Sequence, residues 1–182
     1  RIGNNIKQNR KLSFYYFDKA AEQGSAYAII MLGKYYEKGF GVEKDIEKSF
    51  DYFMMAAEAD IEQGMYEVGL LYLHGKGVEP NKEEAFKWFT KAAHKGFAPA
   101  QVEVGRHFKE QRKTKKNLEE SRKWFELAAE QNNADALLEV ALMYLNGRGV
   151  EVDRDKAKHY LIRQMKYLIL IYMSYALMKI KE

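Results

Sequence analysis

The alanine pairs Ala20-Ala21, Ala56-Ala57, Ala92-Ala93 and Ala128-Ala129 recur every 36 residues, with no insertion between them. A fixed period of this length means an array of like units, each burying its apolar face on the next. Other columns keep the same step. They are Gly33, Gly69, Gly105 and Ala141; Tyr36, Tyr72, Phe108 and Tyr144; Tyr16, Tyr52, Trp88, Trp124 and Tyr160; and Phe17, Phe53, Phe89, Phe125 and Leu161.

A polar column, Asn9, Asp45, Asn81, Asn117 and Asp153, consists of residues whose short side chains accept a bond from an early backbone N–H of a helix. Each is expected to open a helix. Asn81 with Glu84, and Asn117 with Glu120, add the three-residue spacing of a capping box. Each unit then reads as two helices. Helix A carries the glycine and an aromatic three residues on; helix B carries the aromatic and alanine pairs. Glycine inside a helix costs about 0.5 to 1 kcal/mol relative to alanine, so a recurrent glycine implies close approach by a neighbouring helix. The alanine pairs are the expected counterpart, with the aromatics filling the space between pairs. Between A and B stand Gly39-Phe40-Gly41-Val42, Gly75-Lys76-Gly77-Val78 and Gly147-Arg148-Gly149-Val150, glycine turns that suit a helix end and whose valines are expected to return to the core.

Two prolines in 182 residues, with abundant Lys, Glu, Ala, Leu and Met, favour an all-α fold because these side chains lose little freedom in a helix. A hydrophobic share of 47% and a charged share of 31% fit a soluble globular protein of one domain. The net charge of +4 is mixed along the chain and does not call for nucleic acid. The absence of cysteine excludes disulfides, thiolate metal sites and a cysteine nucleophile. His74, His94, His107 and His159 hold different repeat positions and form no catalytic or metal-ligating motif. The glycine turns lack the phosphate-loop pattern and follow no strand, so no cofactor is expected. Lys109 to Lys116 is a local basic cluster, read as a solvated turn, with docking to an acidic partner or membrane surface as the alternative.

These columns resemble the Sel-one-like repeat, a relative of the tetratricopeptide repeat with a longer connection between its helices. The resemblance implies an α/α superhelix of antiparallel helix pairs, a single solenoid over residues 1–182. Its parts are a half repeat at 1–24, repeats at 25–60, 61–96, 97–132 and 133–163, and a C-terminal helical extension at 164–182. Gly3, Ile6 and Asn9 fall on Gly39, Val42 and Asp45, so the chain is expected to start inside a repeat, with Phe14, Tyr15 and Phe17 leaving apolar surface there. The start has no apolar signal region. The compartment stays open: cytoplasm or, after removal of a signal, periplasm or exterior. Two departures stand out. Gln111 to Lys116 replaces the glycine turn in the third repeat, which is expected to alter that connection and extend helix A. Gln164-Met165 replaces the fourth alanine pair, and nothing stops the last helix, expected from about Asp153 to Lys179.

The resemblance also implies a non-catalytic adaptor or scaffold that binds a protein or peptide on the concave face lined by A helices. By likeness to tetratricopeptide packing, the positions three before, one after and four after each glycine face that groove. They are Ile30, Lys34 and Glu37 in the first repeat, Tyr66, Leu70 and Leu73 in the second, and Val102, Arg106 and Lys109 in the third. The expected partner site is Tyr66, Leu70 and Leu73 with Ile30 and Val102, flanked by Lys34 and Arg106 as carboxylate partners. The fourth set, Leu138, Leu142 and Leu145, is expected under the apolar run Tyr167 to Met178. That run is too short for a transmembrane helix, which needs about 20 residues. A helix apolar all round must be buried all round, so the alternative function is self-association through this segment.

Overall fold

The computed structural model describes the backbone of residues 2–111 and 114–180, and side chains over 9–111, 114–170, 172 and 173. Among the described residues there are nine α-helices and no strand: α1 Ile2–Glu22, α2 Ala26–Lys38, α3 Ile46–Glu58, α4 Glu62–His74, α5 Lys82–His94, α6 Ala98–Glu110, α7 Lys115–Glu130, α8 Ala134–Asn146 and α9 Arg154–Ile180. The chain divides into two compact units, Arg1–Lys95 and Gly96–Glu182. In the first, each of α1 to α5 packs on the next; in the second, α6 to α9 do the same.

Three residues of the polar column cap helices as expected. The Asp45 carboxylate accepts from the Lys48 N–H at 3.0 Å, Asn81 Oδ1 from Glu83 and Glu84, and Asp153 from Lys156 at 2.9 Å. The Asn81 box is only half closed. Glu84 pairs with Lys87, and the Asn81 N–H donates back to the Tyr72 carbonyl at 2.9 Å. Asp45 and Asp153 make the same return bond to Tyr36 and Tyr144, which closes the long connection between A and B.

Asn9 and Asn117 do not cap. Asn9 lies inside α1, which runs unbroken from Ile2. Asn5 stands where the turn's second glycine would be, so nothing reverses the chain before it. Asn117 is the third residue of α7, and its N–H donates to the Thr114 hydroxyl at 3.2 Å. Thr114 offers the capping oxygen three residues earlier, so the extra turn in the third repeat lengthens helix B to 16 residues. Helix A is not extended and ends at Glu110. Arg112 and Lys113 of the basic cluster lie outside the described residues.

The counterpart of the helical glycines is the phenylalanine column, not the alanine pairs. A Cβ on Gly33, Gly69 or Gly105 would stand 2.7, 2.6 or 2.8 Å from the ring of Phe53, Phe89 or Phe125. All three rings are buried. The alanine pairs admit the start of the following A helix instead: a Cβ on Gly64 would meet Ala56 Cβ at 2.5 Å, and Ala128 and Ala129 share a core with Ala136. The aromatic columns stack in register, Tyr36 on Tyr52 and Tyr144 on Tyr160, with planes within 13° and 11° of parallel. Val150 packs against the core of the second unit.

The second glycine of each turn has positive φ, +73° at Gly41, +71° at Gly77 and +70° at Gly149. Each lies against the backbone of the preceding unit's B helix, at Arg10, Ile46 and Leu118. The turn is therefore a clasp between successive repeats. The sequence of the third repeat has no glycine in that register.

Helix B also carries a small buried residue at Ser49, Ala85, Ser121 and Ala157. The Ser121 hydroxyl donates to the Gly105 carbonyl at 2.8 Å, whereas the Ser49 hydroxyl is buried with no hydrogen-bond partner. Ser121→Ala should cost about 1 kcal/mol and Ser49→Ala should be neutral or stabilising, because only the first removes a bond. Urea melts of the two variants check the difference; equal losses would contradict it.

Candidate partner-binding surface

The A helices place their groove positions by register alone, since every described A helix from α2 onward has 13 residues. The structure separates the sequence-predicted residues into three groups.

Ile30 and Val102 belong to the core. Each is only 3% exposed, and Val102 sits in the cluster of Phe125, Leu137 and Val140. In the second unit the cause is visible: α8 follows α6 as the next A helix, and the shared core of the two closes over the short Val102 side chain. Neither residue offers surface to a partner, which corrects their assignment to the site.

Lys34 and Arg106 are already paired. Lys34 Nζ lies 3.0 Å from Glu67, while Arg106 bonds both Glu103 and Asp135, at 2.6 and 2.9 Å. Lys109 reaches Glu139 at 2.6 Å, and Glu37 pairs with Lys76 at 2.9 Å. Each cation is thus tied across to a neighbouring repeat. Desolvation pulls the Arg106 guanidinium down, but Glu103 and Asp135 together hold it above its ordinary pKa. A ligand carboxylate would have to displace these partners, so these two side chains act first as struts between A helices.

The apolar rows lie outside the core. Tyr66, Leu70 and Leu73 fall at i, i+4 and i+7 on one face of α4 and are half-buried; the Tyr66 ring leans on Phe89 at 5.6 Å between centroids. On α8 the equivalent Leu138, Leu142 and Leu145 are 39, 40 and 41% exposed. Sequence reasoning expected the terminal run to cover these leucines, and it does not. Arg163 bonds the Ala129 carbonyl and Asn132, and Gln164 the Ala134 carbonyl at the first residue of α8. The antiparallel α9 passes the end of α8 there, and Met165 onward projects beyond it. Next to Leu142 a cavity of about 260 Å³ opens between Lys109, Leu118, Glu139 and Arg148.

No group of three or more His, Asp or Glu residues able to hold a metal occurs among the described residues, and no described helix is long and apolar enough to cross a membrane. Burial lowers the pKa of His107.

The Sel1 repeat pattern matches residues 2–25, 26–61, 63–97, 98–133 and 134–163. The chain belongs to the Sel1 repeat family. A Sel1 repeat protein from Oxalobacter formigenes superposes with a TM-score of 0.80 at 34% identity, over 87% of this chain and 46% of that one. A protective antigen of uropathogenic Escherichia coli displaying an SLR fold gives 0.77 at 33% identity, over 85% of this chain and 33% of that one. An immunity protein from Pseudomonas aeruginosa gives 0.61 at 25% identity, over 83% of this chain and 55% of that one. This chain spans less than half the length of the first two. No curated protein matches it. Sel1 repeats generally mediate protein–protein interaction and are typically non-enzymatic.

Proposed function

We propose that this Sel1 repeat chain is a non-catalytic adaptor that holds a segment of another protein on its A-helix face, with Tyr66, Leu70 and Leu73 as the apolar anchor. The observation that carries this reading is an apolar row kept out of the core at groove positions, where the first and third repeats place paired charges. A row at i, i+4 and i+7 suits an extended or helical peptide laid along the groove. The ion pairs Lys34–Glu67 and Glu37–Lys76 border it with polar groups already satisfied, so a partner gains its affinity from apolar burial.

The double variant Leu70→Glu/Leu73→Glu tests the site. If the row is a binding surface, the melting temperature should stay within about 2 °C of wild type, as for surface substitutions, while affinity capture from source cells should lose its protein partner. If the leucines are core, the loss should exceed ~8 °C. Unfolding, or unchanged capture, would remove these residues from the site.

A further inference from the structure

We infer that the projecting end of α9 docks on the Leu138–Leu142–Leu145 row of a second copy of this chain, and that the exchange is reciprocal. This goes beyond the adaptor site, since it uses only the second unit. The two apolar features are on the same unit yet cannot meet within one copy, because α9 has left α8 by Gln164. From there to Ile180 the helix continues for about 24 Å at 1.5 Å per residue, more than the ~10 Å between Leu138 and Leu145. Among the described residues, one copy offers a groove without a helix and a helix without a groove.

Area argues for reciprocity. Met165, Tyr167, Leu168, Ile169, Leu170, Tyr172 and Met173 are 39 to 75% exposed, which at ~200 Å² per large side chain is about 800 Å² around the helix. Half of that facing a partner, with the leucine row, gives about 600 Å² per copy, so a two-way exchange reaches the ~1,200 Å² total of the smallest stable interfaces. A one-way contact reaches half as much and falls short.

Charge disfavours a second α9 as the receiving surface. On α8 Glu139 is paired with Lys109 and Asp135 with Arg106, whereas α9 beyond Arg163 carries Lys166 and Lys179 and no acidic residue. Asp135 is 68% exposed even with Arg106 beside it, leaving carboxylate surface for a lysine. Two α9 ends side by side would set lysines against lysines.

Sedimentation velocity on the full chain tests this. Wild type should be a dimer at micromolar concentration, and Leu142→Glu and Ile169→Glu should each be monomeric with unchanged helical content. Mixing the two variants should give at most a weak association at high concentration, because only one of the two contacts remains intact. A monomeric wild type would overturn the inference, as would a Leu142→Glu variant that stays dimeric. Since the chain has no cysteine, Leu142→Cys and Ile169→Cys supply a second reading that does not depend on the glutamate variants folding. Mixed under mild oxidation they should give the mixed disulfide ahead of either homodisulfide; a predominant Ile169→Cys homodisulfide would overturn the docking mode.

Discussion

Gly149→Ala should lower the stability of the chain by about 3 kcal/mol, more than an alanine at any open glycine turn. Two costs add. The first is conformational: φ is +70° at Gly149, and an L side chain held there costs roughly 1 to 2 kcal/mol. The second is steric, because the new Cβ would stand 2.6 Å from the Leu118 carbonyl carbon. That neighbour is helix backbone, which cannot rotate away as a side chain would, and overpacking of this kind costs about 1 to 3 kcal/mol. Gly24→Ala separates the two. Its φ is +82°, yet a Cβ there meets nothing within 4 Å, so only the conformational cost applies. Urea unfolding of both variants should show Gly149→Ala at about twice the loss of Gly24→Ala. Equal losses would mean that the turn does not clasp the preceding repeat.

The same clasp explains what the sequence could and could not reveal. The period, the helix pairs and the turns were legible because each is a local pattern copied at a fixed step, and Asp45, Asn81 and Asp153 cap where that pattern says. Asn117 failed because Thr114 competes for the same helix start, and Asn9 because the reversal before it depends on a glycine that is Asn5. The site was less legible for a different reason. Register fixes which positions are equivalent, but exposure depends on what lies beside each one. Val102 on α6 is closed over by the core it shares with α8, while Leu138, its equivalent on α8, has no following A helix among the described residues and stays exposed. Likewise Lys34 and Arg106 look like free cations until their carboxylates, 33 and 29 positions further along, are brought across by the fold.

The helical glycines show a compensation that the columns contain in plain sight. Gly33, Gly69 and Gly105 face Phe53, Phe89 and Phe125, each 20 residues on. In the fourth repeat both members change together, to Ala141 and Leu161: a larger residue on helix A is matched by a narrower one on helix B. Gly33→Ala alone should therefore destabilise. The helix gains about 0.5 to 1 kcal/mol in propensity, but a Cβ 2.7 Å from the Phe53 ring forces a side chain that is 1% exposed to move in a packed core, at ~1 to 3 kcal/mol. Phe53→Leu alone should also destabilise, by leaving the ring's space unfilled. Together they should recover much of both losses, since the pair reproduces the Ala141–Leu161 combination. A double-mutant cycle measured by chemical denaturation should give a favourable coupling of about 1 kcal/mol or more between the two sites. Strict additivity would show that the ring does not set the glycine, and that helix A is held off helix B by other contacts.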